Sequence, residues 1–127
     1  MTSPRFVAFA LGSVLAGCTA RQKDNCALRV VPAAAKITLS HGVDFASYPD
    51  PLPEHYSGCQ NMWIGDGHDR RSMQLLSTAK FLDGRVEWLS GHEKDVEFRC
   101  VYREGVLVTQ ESLNPENCPT ADEVEHR

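Results

Sequence analysis

The residues best equipped for chemistry in this chain are its five cysteines, Cys18, Cys26, Cys59, Cys100 and Cys118. The last four make an even set, which in an oxidising compartment reads as two disulfides. Four cysteines permit three pairings, and Cys100–Cys118 with Cys26–Cys59 is preferred because the first pair brackets one hairpin and its return. Each loop so closed stabilises a small fold by about 3 kcal/mol in the chain-entropy account. No two cysteines stand at the close C-x-x-C spacing that zinc sites favour, so thiolate metal binding is not expected.

The other donors are sparse. Asp66-Gly67-His68-Asp69 gathers oxygen and nitrogen donors on a glycine-containing loop that could suit a divalent cation, but it lacks the periodic acids and terminal Glu of an EF-hand loop and reads better as a plain turn. The five histidines, at 41, 55, 68, 92 and 126, form no H-E-x-x-H and no pair one helical turn apart. No G-x-S-x-G nucleophile elbow occurs, and Ser57-Gly58 and Ser90-Gly91 are ordinary turn dipeptides. The expectation is a protein without catalysis, metal, cofactor or small-molecule substrate.

A binding role has better material. Tyr48, Tyr56 and Trp63, set among Pro49, Pro51 and Pro53, could form an exposed aromatic patch of the kind that anchors a protein partner, with Asp66 and His68 beside it. The segment from Tyr48 to Asp69 is therefore the expected contact surface. Trp63 and Trp88 also fit core residues packed on the disulfides, Trp88 the more so.

The elements that must position these residues are mainly strands. Leu28–Val31 and Lys36–Ser40 are short β-prone runs separated by Pro32–Ala35, and residues 47–61, with three prolines, read as a loop pinned by Cys59. Met73–Leu82 reaches Asp83-Gly84, a strong hairpin signal because both residues tolerate positive φ, and Arg85–Ser90 returns. After a turn at 91–95, Val96, Phe98, Cys100 and Tyr102 alternate with Glu97, Arg99, Val101 and Arg103, the period of a half-buried strand. Arg103-Glu104-Gly105 turns the chain into Val106–Gln110. The pattern predicts a mainly β fold, a small antiparallel meander closed by the N-terminal pair into a barrel or sandwich and stapled by two disulfides. The domain spans 26–119, a loop held by Cys118 closes it, and the acidic residues 120–127 read as a disordered tail.

Positions 1–5 carry one positive charge, Arg5, and Phe6–Ala16 is an apolar run of signal-peptide length, too short to span a bilayer. Leu15-Ala16-Gly17-Cys18 resembles the lipobox of bacterial lipoproteins. That resemblance implies removal of residues 1–17, lipidation of Cys18 and a mature chain tethered by 18–25. Thr19 stands where an Asp would resemble an inner-membrane retention signal, which implies the outer membrane, facing the periplasm. More than one acyl chain makes such an anchor stable.

Of the 127 residues, 13 are basic and 17 acidic; with Arg5 removed, the chain from Cys18 balances 12 against 17, a formal charge of −5. An acidic chain without a basic stripe argues against nucleic acid and against docking on anionic headgroups, and favours a cationic partner. Val96-Glu-Phe-Arg-Cys-Val-Tyr102, the hydrophobic run at Val106 and Asn117-Cys118-Pro119 resemble a family of small exported bacterial proteins with an aromatic-x-Cys-x-Tyr strand and a closing cysteine, a likeness that implies no activity. The chain is also similar in size, anchor and charge to membrane-bound inhibitors of C-type lysozyme, but their Ser-Gly-x-x-Tyr motif is missing: Cys59-Gln60 follows Ser57-Gly58, and His92-Glu93 follows Ser90-Gly91. The expected function is non-catalytic protein binding, as an inhibitor or immunity protein against an envelope-targeting enzyme. The alternative is a structural accessory lipoprotein of a secretion or envelope machine.

Overall fold

A computed structural model describes residues 26–93 and 95–127, so the signal peptide, Cys18 and the tether expected over 1–25 lie outside the described residues. One antiparallel sheet of seven strands dominates: β1 (Lys36–Thr38), β2 (Asp44–Tyr48), β3 (Gly58–Gly65), β4 (Gln74–Leu82), β5 (Arg85–Glu93), β6 (Val96–Arg103) and β7 (Val106–Leu107). The strands stand in sequence order, each paired with its chain neighbours, and the ladder stays open with β1 and β7 at its ends rather than closing into a barrel.

The β4–β5 hairpin turns at Asp83-Gly84, where φ is 51° and 82°, the left-handed pair that a two-residue turn demands. Glu104-Gly105, with φ of 52° and 81°, repeats the device between β6 and β7. Both disulfides take the expected pairing, with Cα–Cα distances of 5.1 Å for Cys26–Cys59 and 5.8 Å for Cys100–Cys118.

Several expectations are corrected. Leu28–Val31 is not a strand; it lies across the sheet, where Val31 is buried. The supposed loop 47–61 contains the end of β2 and the start of β3, and the run Met62-Trp63-Ile64 continues β3 as a strand with apolar residues on both sides. β5 extends through His92 and Glu93, which pair with Glu97 and Val96, so these residues are strand rather than turn. The last strand stops at Leu107 and gives way to a turn of 3-10 helix at Thr109–Glu111. The tail expected to be disordered holds a short helix, α1 (Ala121–Glu125). Its reason is local: Thr120 and Glu123 form a reciprocal capping box, and Val124, the one apolar residue of consequence there, is fully buried.

Successive strand residues point to opposite faces, and the core accordingly divides in two. One face of β4–β6 presents Ala79, Phe81, Leu89, Phe98, Cys100 and Tyr102, covered by Ala121 and Val124 of α1. The other face, over β1–β4, presents Ala46, Trp63 and Met73, covered by Val31 and Ala35. The second cover has no regular structure, so several of its backbone groups are satisfied by side chains of β3 and of the 3-10 turn Arg70–Ser72 that follows it. Trp63 Nε1 donates to Leu28 O at 3.0 Å, Ala27 N donates to Asn61 Oδ1 at 2.9 Å, and Arg70 Nη1 donates to Pro32 O at 2.7 Å.

Candidate functional site: a half-roofed apolar groove

The helix-covered face is not covered along its whole width. The segment 114–119 is tied to β6 by Cys100–Cys118, and Tyr102 OH donates to Pro119 O at 2.7 Å, which together set the chain's path into α1. α1 packs over β5 and its neighbours and stops there. On the same face, β2 and β3 carry Phe45, Met62 and Ile64, which line an open groove beside α1. The result is a groove of about 620 Å³ with Met62, Ile64, Leu89 and Phe98 on its floor and the 116–119 segment and α1 as one wall.

The rim is charged. Glu93, Glu116 and Glu123 line it, against His92 and Arg127. Arg127 Nη1 donates to Met62 Sδ at 2.9 Å, so a guanidinium already rests on the apolar floor. Backbone and side-chain hydrogen bonds from Thr120 hold the Glu123 carboxyl below its usual range, which keeps it ionised at the mouth. Burial pushes the Tyr102 phenol up to about 12, so it stays a neutral donor to the wall at any physiological pH. Gly91 belongs to this packing: a Cβ there would meet Leu76 O at 2.6 Å and the Phe98 ring at 3.2 Å. Chemically the groove can exclude water from an apolar side chain and place cations beside carboxylates; its residues form no nucleophile–base pair.

The five residues expected as a contact surface are not brought together. Trp63 is fully buried and presents no contact surface, since its ring fills the core and its N–H donates to Leu28 O. Tyr56 is half-buried, its ring 6.1 Å from Phe81 and its hydroxyl donating to Cys59 O at 2.8 Å. Tyr48 is half-buried against the Trp63 cluster. Asp66 and His68 are exposed, but Asp66 Oδ1 accepts from His68 N at 2.9 Å in an ordinary turn. That turn lies at the opposite end of β3 from Tyr56, about 23 Å away for an eight-residue strand, while Tyr48 pairs with Asn61 in the middle of β3. The turn is fixed from β2: Asp44 accepts from Gly67 N at 2.7 Å and Ser40 N at 3.0 Å, which lowers its carboxyl. Among the described residues, no group of three or more His, Cys, Asp or Glu is placed to hold a metal ion.

Sequence reasoning missed the groove residues on β2 and β3. The signal that could have found them is the uninterrupted run Met62-Trp63-Ile64 between Gly58 and Gly65, which reads as a strand buried on both faces once proline content is not allowed to decide the segment. The two tryptophans, both of which fit the core from the sequence, divide: Trp63 is a core residue, whereas Trp88, the stronger expectation, is half-exposed on the side of the sheet away from α1. In comparisons with known proteins, no family model matches the chain, and neither a curated protein nor a solved structure matches it.

Proposed function

We propose that this chain is a lipoprotein anchored through Cys18 in the outer membrane, facing the periplasm, that binds a protein partner without catalysis. Its role on this reading is that of an inhibitor or immunity protein against an enzyme that reaches the envelope. The observation that carries the reading is the groove: an apolar floor, a roof stapled by Cys100–Cys118, and a rim bearing Glu93, Glu116 and Glu123. A rigid concavity with an acidic mouth suits a partner that inserts an apolar side chain flanked by basic residues, because desolvated apolar contact supplies affinity while the carboxylates steer approach. The contact surface so proposed replaces the Tyr48–Asp69 segment, where Asp66 and His68 are the exposed members of the five residues expected to make contact.

The test is a pull-down with the native chain from envelope extracts and from proteins secreted by competitors, run beside an Ile64→Lys variant. Recovery of a wall-degrading enzyme or toxin whose activity falls on binding, and its loss with Ile64→Lys, is the expected result. Recovery of secretion components alone would overturn it in favour of an accessory role in an assembly machine. Mass spectrometry of the native protein checks the anchor separately: residue 18 should be N-terminal and acylated, and an unmodified Cys18 would remove the envelope placement.

A further inference from the structure

The sheet has a second concavity, diagonally opposite the groove, that the protein-binding reading does not use. On the face of β4–β6 away from α1, the register sets Lys80, Trp88 and Val101 in one row and Thr78, Ser90 and Arg99 in the next. Residues directly opposed on antiparallel strands project to the same side. Two adjoining depressions, of about 380 and 210 Å³, share Trp88, Ser90 and Arg99. The register shift between Lys80 and Phe81 leaves Glu87 as an extra residue on β5, and it lines the larger depression.

These groups are uncommitted. Among the described residues, the indole N–H of Trp88, the Arg99 guanidinium, the Ser90 hydroxyl and the Glu87 carboxylate make no side-chain hydrogen bond or ion pair, whereas Trp63 satisfies its N–H fully. Trp88 is thus a half-buried ring with an open donor, lining both concavities of a cross-strand trough.

We propose that this trough binds a neutral saccharide. One face of a pyranose is a flat array of electropositive C–H groups, which packs on the negative face of an indole. Its hydroxyls each donate and accept, so they need partners of both kinds: Glu87 accepts, Arg99 and the Trp88 N–H donate, and Ser90 does both. Charge decides against the other occupants of an aromatic surface. Glu87 and Glu97 offset Lys80 and Arg99, so the trough offers no net positive field for a nucleic acid or an anionic lipid, and no net negative field for a cation. The combined space lies in the range of small-ligand sites, about 300–1,000 Å³.

The chain has two tryptophans and Trp63 is fully buried, so ligand-dependent changes in emission and in acrylamide quenching report Trp88. The purified full chain is titrated with tetrasaccharides of glucose and of N-acetylglucosamine, and in parallel with phosphatidylglycerol vesicles and a single-stranded oligonucleotide. A saturable response to a tetrasaccharide that shields Trp88 is expected, weakened about tenfold or more in Trp88→Ala. Because that variant could disturb packing, Arg99→Ala, which alters an exposed side chain, must also weaken binding while keeping the wild-type urea midpoint. No response to either tetrasaccharide, undiminished binding in either variant, or binding to vesicles or oligonucleotide alone would overturn the proposal. Ile64→Lys, on the opposite face, should leave saccharide binding intact, so this test fails or succeeds independently of the groove.

Discussion

The two faces of the sheet are closed by different means, and the contrast explains where the molecule is left open. Over β4–β6 the cover is a helix, which satisfies its own backbone and needs from the sheet only an apolar surface; Val124 and Ala121 supply the match. Over β1–β4 the cover is an irregular segment, 26–35, whose backbone satisfies itself only in part, through Ala35 N to Pro32 O, and Trp63 and Asn61 of β3 and Arg70 of the 3-10 turn after it serve as further hydrogen-bonding partners. Each cover is pinned by its own disulfide, and each spans only part of its face. The uncovered remainders, the groove over β2–β3 and the trough over β5–β6, lie on opposite faces at opposite ends. A single-layer sheet with two partial covers produces two concavities without any strand having to bend aside.

If the comparison is right, Trp63→Ala should be the most damaging change. It removes the largest ring of the irregular cover's core and the donor to Leu28 O together, and should cost about 3–5 kcal/mol in urea denaturation. A loss no larger than that of an exposed substitution would mean the 26–35 segment does not depend on the sheet.

Replacing each cysteine pair by serine separates the two covers. Each loss should be about 3 kcal/mol, slightly more for Cys26–Cys59, which spans 33 residues against 18. Hydrogen exchange should then localise the damage: faster exchange at 26–35 with α1 protected in one variant, and the reverse in the other. Equal loosening of both would show a single cooperative cover.

Thr120→Ala tests the claim that the helical cover is locally encoded. It removes the capping interaction with Glu123 N and should cost about 1 kcal/mol, read as a lowered midpoint with faster exchange confined to 121–126.

The last expected effect is pH-dependent and confined to the alkaline range. Burial raises the Tyr102 phenol from 10.0 to about 12, so the neutral form is favoured in the folded state. Its stabilisation is present in full below pH 10 and is lost as pH rises from 10 through about 12. Tyr102→Phe should flatten this alkaline limb while losing the bond to Pro119 O at neutral pH; an unchanged limb would assign alkaline unfolding elsewhere.

Much of the right-hand part of the sheet was legible in the residues. Asp83-Gly84 marks a turn because both residue types tolerate positive φ, Gly105 marks the next one, where Glu104 is carried into the same region beside it, and the alternation at Val96–Arg103 marks a strand because one side is wet and the other dry. β3 was illegible for the converse reason. Apolar residues on both sides remove the alternation, and the prolines just before it belong to a loop carrying cis Tyr48-Pro49 and Asp50-Pro51 bonds that leads into the strand. α1 was hidden because eight residues, three of them acidic and one a valine, resemble a solvated tail until a cavity of matching size exists to receive Val124.

The amino-acid sequence by itself determined the strand-rich class, the turns, the even set of cysteines and the residues equipped to cap α1, all of which depend on backbone preference or on neighbours a few positions away. Tertiary structure alone decided which tryptophan is buried, how the aromatic residues expected in one patch are distributed, and where each face is left uncovered. Those outcomes depend on which segments cross the sheet and how far they reach, and that is set by packing between residues 30 or more positions apart, such as Trp63 with Leu28 and Asn61 with Ala27.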